Sequence, residues 1–202
     1  MSRFGGYFVV GVGADLDAPT LNDVYDGSGL AERVDDVCAR LGTAERRVGA
    51  SILFQGYTAR VWSPLLGAVA LGEPVPALPA DEIHWAESGF TSAEPLREAK
   101  NTLAEIALDE HFARMVAALR GVVAEGLLWG NAASSLAGTL KVIANAGELD
   151  QRTWDTAMSV LADPRLSETG AFTPTGYRRR SCCLYYRVPN GGLCGDCSLS
   201  RA

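Results

Sequence analysis

Apolar residues recur at helical spacing over most of this chain. In residues 30–41, Leu30, Val34, Val37, Cys38 and Leu41 share one stripe, Ser28 stands where a cap would sit and Gly42 follows the last apolar position. That pattern predicts an amphipathic helix. Cys38 lies on the stripe and reads as a packing residue, because a free cysteine behaves as a small hydrophobe. Residues 44–62 begin behind Thr43, with Glu45 and Arg46 close by, and are apolar on much of the helical surface, so a central helix is expected. Ser63-Pro64 is expected to kink or break it, since proline lacks a donor and disfavours helix in the residue before it. Residues 65–71 then form a second apolar piece. Further helices are expected over 104–119, 121–145 and 150–161, the last with Trp154, Met158 and Leu161 facing inward and Asp163-Pro164 closing it.

Strand patterns are few. Residues 7–12 read as a short strand between glycines, followed by a loop rich in Asp, Asn and Pro. Gly11-Val12-Gly13 begins like a dinucleotide fingerprint, but position 16 is Leu16 and no βαβ pattern follows, so these glycines serve a turn. Residues 72–79 hold Pro74, Pro76 and Pro79 and form a loop, and residues 82–85 are a short strand leading to Ser88-Gly89. The two histidines, His84 and His111, have no partner at ligand spacing, which leaves them structural roles. The fold class expected is mainly α, with a helical body over residues 1–165 and a helix-poor, cysteine-rich loop or hairpin over 166–202.

Bulk properties narrow the field. A chain of 202 residues with 48% apolar and 21% charged residues can build one core, with at most a small appendage. A net charge of −6 argues against a general nucleic-acid binder, because phosphate binding wants a basic face. The longest apolar stretches, 48–72 and 121–147, are interrupted by Gln55, Arg60 and Pro64 and by Glu125, Asn131 and Lys141. Neither offers the roughly 20 uninterrupted apolar residues of a membrane span. Residues 4–14 carry four glycines behind a single basic residue, a poor export leader. The compartment expected is the reducing cytoplasm, where grouped cysteines ligate metal more often than they form disulfides.

The helix pattern over 121–145 contains Gly126, Gly130 and Gly138. Glycine costs about 1 kcal/mol relative to alanine inside a helix, so these positions imply close approach of another backbone or a bulky group. Tight helix packing accounts for most of them. Trp129 and Asn131 are the two side chains there that are candidates to touch a ligand.

The chemistry is concentrated in the last two dozen residues. Four of the five cysteines, Cys182, Cys183, Cys194 and Cys197, are spaced C-C-x10-C-x2-C. Thiolate sulfur selects zinc, copper(I) and iron–sulfur clusters. Structural zinc favours two pairs, each separated by a few residues; Cys194-x-x-Cys197 fits, whereas the adjacent Cys182-Cys183 suits a larger centre approached from different directions. Bacterial 4Fe–4S runs have a different spacing. From spacing alone a 2Fe–2S cluster ranks ahead of zinc, and zinc ahead of two disulfides. Pro189-Asn190-Gly191-Gly192 is a turn signal. With residues 184–188 as a short strand, that turn would fold the second cysteine pair onto the first. Gly195 would permit a tight loop with backbone N–H groups aimed at sulfur, Asp196 would be a turn residue, and Tyr185 and Tyr186 would shield the centre from water.

The run from Arg180-Ser181-Cys182-Cys183-Leu184-Tyr185-Tyr186-Arg187 to Gly192-Leu193-Cys194-Gly195-Asp196-Cys197 resembles the carboxyl-terminal motif of the FhuF-like ferric-siderophore reductases. The resemblance covers about the last 25 residues. It extends less specifically to Ala59-Arg60-Val61-Trp62-Ser63-Pro64 and to Trp129-Gly130-Asn131. It implies a 2Fe–2S cluster on Cys182, Cys183, Cys194 and Cys197 and reduction of siderophore-bound Fe(III), of hydroxamate type, in the cytoplasm. A ferredoxin or flavin reductase would be the electron donor. Arg178, Arg179, Arg180 and Arg187 are then candidates to stabilise the reduced cluster or to attract an anionic partner. Two alternatives stay open: a zinc-stabilised siderophore-binding module, and a cluster protein that passes electrons to another enzyme.

Overall fold

The computed structural model describes residues 1–200. Its axis is α3, Arg46–Leu71, buried along most of its length and packed against α5, Glu125–Asn145. Small side chains let the two helices approach, and hydroxyls close the seam. Thr58 Oγ1 donates to Ser135 Oγ at 2.9 Å, Ser135 Oγ donates to the Gln55 carbonyl at 3.0 Å, and the Trp62 indole donates to the Ala132 carbonyl at 3.0 Å. The helix does not break at Pro64, contrary to expectation. Ser63, Pro64, Leu65 and Leu66 are all buried; packing on both sides outweighs the roughly 3 kcal/mol that an internal proline costs.

The amphipathic stripe of 30–41 becomes α2, Leu30–Leu41, with Leu30, Val34, Val37 and Cys38 inward on α3. Its cap is Gly29, not Ser28, because the chain enters the helix through a left-handed residue (φ 69°). Cys38 is buried as a packing residue. The N-terminal strand is shorter than predicted. Two 3-10 turns, Ser2–Phe4 and Gly6–Phe8, pack Phe4 and Phe8 into the core, and only β1, Gly11–Val12, pairs in parallel with β3, Gly89–Ser92. The predicted strand near 82–85 is β2, Ile83–Ala86, antiparallel to β3. The short α1, Leu21–Tyr25, lies between β1 and β2 in sequence, capped by Thr20.

Residues 104–119 fold as a π-helix, Glu105–Phe112, running into α4, Ala113–Ala118. The wide turn buries both His111 and Phe112. His111 Nδ1 pairs with the Tyr25 hydroxyl at 2.6 Å, which in turn pairs with the Tyr57 hydroxyl at 2.5 Å, and His84 Nδ1 pairs with the Ala18 carbonyl at 2.7 Å. Both histidines are structural, as expected. The next helix, α6, Gln151–Leu161, is capped by Asp150 and buries Thr153, Ala157 and Val160. Its inner face is one residue away from the Trp154–Met158–Leu161 stripe, which lies half-buried at the margin because Trp154 stacks on Phe172 (4.9 Å).

After α7, Pro164–Ser167, helix gives way to a hairpin of β4, Gly170–Thr173, and β5, Gly176–Arg179. The architecture is thus mainly α with few short strands, and its cysteines cluster near the carboxyl end. No helix among the described residues is long and apolar enough to cross a membrane.

Candidate metal centre

Two reversals gather the cysteines. Immediately after Cys183, Leu184 adopts a left-handed conformation (φ 68°) and the chain enters a 3-10 turn, Tyr185–Arg187, instead of the predicted strand. Asn190 is also left-handed (φ 58°), and the Gly191 N–H donates to the Val188 carbonyl at 2.8 Å. Gly191 is needed there, since a Cβ would press on the carbonyl oxygens of Tyr185 and Val188. The chain doubles back, and Cys183 Sγ lies 3.5 Å from Cys194 Sγ.

Cys183 and Cys197 are buried, whereas Cys182 and Cys194 are half-exposed. All five cysteines are free thiols, which leaves no disulfide among the described residues. Cys182 feels the charges of Cys183 and Cys197, and Cys194 that of Cys183. Cys183 and Cys194 are in sulfur–sulfur contact, and Cys182 has Cys183 and Cys197 nearby. Among the described residues no three His, Cys, Asp or Glu side chains converge on a single-ion site. Backbone N–H groups point at two sulfurs, Leu184 to Cys182 at 3.3 Å and Leu199 to Cys197 at 3.4 Å. They come from the residue two places after each cysteine, not from the loop at Gly195. Burial pushes the Cys182 and Cys194 thiols up, with the Cys183 hydrogen bond adding to the effect at Cys194. Such crowded thiols stay protonated until a cationic centre replaces their protons.

The body grips this segment through a buried polar relay. Arg179, at the end of β5, has a fully enclosed side chain; its Nη2 donates to Asn131 Oδ1 at 2.7 Å and to the Gly130 carbonyl at 2.9 Å. Asn131 Nδ2 donates to the Ser51 carbonyl at 2.8 Å, and Ser51 Oγ donates to the Cys183 carbonyl at 2.7 Å. Arg179 also faces Asp196, Nε to Oδ2 at 3.6 Å, and its N–H donates to the Asp196 carbonyl at 3.1 Å. Gly130 allows this approach, because a Cβ there would collide with Ser181 Oγ. Gly126 and Gly138 face open space and have no such role.

The other predicted residues divide. Arg187 clasps Glu45 with Nε at 2.9 Å from both carboxylate oxygens, Arg180 pairs with Glu168 at 2.6 Å, and Arg178 donates to the Ser200 carbonyl. These arginines fasten the tail to its surroundings. Trp129 is buried, donates to Glu125 at 3.2 Å and lies under the Arg165 guanidinium (5.5 Å). Tyr185 and Tyr186 are exposed, 37% and 44%, and do not alternate between inside and outside as a strand would have them.

Beside the cysteines opens a cavity of about 1470 Å³, walled by Gln55, Gly56 and Arg60 of α3, Ser134 and Gly138 of α5, and the Cys194–Asp196 turn. Neither Trp129 nor Asn131 lines it. The Arg179–Asp196 pair and the Ser51 relay were not foreseen from sequence. Their only trace was a glycine next to an asparagine in a helix and an arginine in a basic run.

No curated protein matches the chain. Residues 179–199 match the family model described as the FhuF 2Fe-2S C-terminal domain, the family that the cysteine spacing resembles. The matched segment runs from the buried arginine through all four clustered cysteines. The tail of this chain is thus similar to a FhuF 2Fe–2S domain, which supports a 2Fe–2S cluster as its cofactor and an iron–sulfur protein related to siderophore iron handling.

Proposed function

We propose that Cys182, Cys183, Cys194 and Cys197 ligate the 2Fe–2S cluster and that the protein reduces siderophore-bound Fe(III), releasing Fe(II). The observation that carries this reading is four free thiols gathered within the segment that matches a 2Fe–2S domain. Residues 166–202 act as the cluster-bearing segment, and residues 1–165 form the body that receives the chelate. The reducing cytoplasm suits both the free thiols and the product, and a ferredoxin or a flavin reductase is the donor class expected.

When bound, the cluster supplies one electron, which converts Fe(III) to Fe(II). Hard oxygen donors hold Fe(II) less tightly, so the metal leaves the chelate. The chain's residues prepare for that single transfer. The Leu184 and Leu199 N–H groups steady sulfur as negative charge builds up. Arg179 holds a permanent positive charge in the interior close to Cys182, where it favours the more negative reduced state. Asn131 and Ser51 fix Arg179 and the Cys183 backbone, so little reorganisation accompanies the change of charge. Cys194, half-exposed on the cavity wall, is the ligand nearest to a molecule bound there.

Stopped-flow mixing of the anaerobically reduced protein with ferric siderophores tests the reading. Oxidation of the cluster, with Fe(II) trapped in equal amount, is the expected outcome. If no ferric siderophore oxidises the cluster, the protein serves another acceptor and the reductase reading fails.

A further inference from the structure

Resting on that reading, we propose that the cavity beside Cys194 is the seat of the ferric chelate and that it selects chelates with a net negative charge. The first ground is size. At about 1470 Å³ it exceeds the roughly 300–1,000 Å³ of ordinary small-molecule pockets, as a bulky iron chelate requires. Its wall includes Cys194, Gly195 and Asp196, so an occupant sits against the turn that carries Cys194.

The second ground is charge. Arg33, Arg40, Arg60 and Lys141 line the cavity. Among the described residues none of these four is within ion-pair distance of a carboxylate, whereas ten arginines elsewhere in the molecule are each paired. Of the lining carboxylates, Asp196 is committed to Arg179, and only Asp36 and Glu87 are without a paired cation. Asp36 is close enough to be felt by Arg33 but makes no ion pair with it. The excess is positive in a protein whose net charge is −6. Clefts lined by one sign of charge concentrate ligands of the other.

The cations are also held in place. The Arg60 guanidinium lies over the Tyr7 ring at 4.3 Å and donates to the Gly56 carbonyl at 3.2 Å, and the Arg33 guanidinium lies over Trp85 at 4.7 Å. Each is oriented without being neutralised, which leaves further N–H groups for carboxylate or catecholate oxygens. The occupant is a ferric complex whose ligand brings more negative charge than the iron neutralises. A tris-catecholate, or a hydroxamate with free carboxylates, satisfies this; a neutral or cationic hydroxamate complex does not.

Calorimetric titration of the intact protein with gallium(III) complexes tests the site apart from the redox reaction, because gallium(III) keeps the geometry of iron(III) and is not reduced. Anionic complexes are expected to bind more tightly than neutral or cationic ones. Arg60→Gln and Lys141→Gln are each expected to weaken anionic binding about 3- to 10-fold, Arg60→Lys to weaken it less, and Arg120→Gln, away from the cavity, to leave it unchanged. Binding of neutral complexes at equal affinity, or no loss in the double variant Arg60→Gln/Lys141→Gln, overturns the proposal. So does undiminished cluster oxidation by anionic ferric chelates in that double variant, which would leave the reductase reading standing with another site. Gallium binding as expected, without cluster oxidation by the iron counterpart, supports the cavity and removes the reductase reading.

Discussion

The guanidinium of Arg179 donates to the side-chain carbonyl of Asn131 at 2.7 Å, with the arginine side chain wholly enclosed. A charge so placed survives only while its partners do. Asn131→Leu removes an acceptor from a buried cation and is expected to cost about 3–5 kcal/mol, seen as a fall in melting temperature of roughly 6–20 °C. Replacing both residues with apolar ones, Arg179→Met with Asn131→Leu, is expected to recover only part of that loss, because no cation is then stranded but Asp196 loses its partner. Thermal melts of the two proteins make the comparison.

Arg179 also bears on the redox state. Burial is the main reason the Cys182 thiol is held up, and Arg179 is the positive charge working against it. Arg179→Gln is therefore expected to move the midpoint potential of the cluster to a more negative value, and Arg180→Gln, an exposed residue paired with Glu168, to move it far less. Potentiometric titration followed by EPR separates the two arginines.

Gly130 and Ser181 form a steric lock between α5 and the tail. A Cβ at position 130 would collide with Ser181 Oγ but would stand 3.4 Å from Ser181 Cβ. Gly130→Ala alone is expected to lift the tail and lower cluster content, and adding Ser181→Ala is expected to restore much of it. A double-mutant cycle on iron content measures this coupling.

His111 makes the body acid-sensitive. Burial, the largest influence, pulls its pKa down to about 4 from an ordinary 6.5. The Leu78 carbonyl favours the charged ring, but Nε2 makes no hydrogen bond to it. Because the folded protein keeps the ring neutral, its contribution is fully present above pH 6.5 and is lost as the pH falls towards 4, where the unfolded chain binds the extra proton. The loss amounts to roughly 3 kcal/mol over that window. Denaturant melts between pH 7 and 4 are expected to show this slope in the native chain and a flatter one in His111→Phe, which will itself be less stable at neutral pH because the Tyr25 hydroxyl loses one of its two partners.

What was legible in the sequence follows from where local pattern decides the outcome. The stripe Leu30–Val34–Val37–Cys38 and the stop at Gly42 depend on neighbours three or four places away, and α2 formed as read. The cysteine spacing marked the tail because thiols are rare elsewhere in the chain. Pro64 misled, since its local cost is overridden by burial against α5, which no local pattern reports. The strand expected over 184–188 failed for a related reason. Leu184 is forced left-handed by the reversal that returns Cys194 to Cys183, a tertiary demand on a residue with no propensity for it. Asn131 drew notice as an odd residue in an apolar helix, but its partner lies 48 positions away, beyond any periodicity.

Metal and acid-labile sulfide analysis of anaerobically purified protein, run beside Cys194→Ser, addresses the cluster most directly. Two irons and two sulfides per chain, a rhombic EPR signal on reduction, and loss of most of that content in Cys194→Ser with native helicity retained are the expected results. One tightly held zinc per chain with no sulfide would contradict the account.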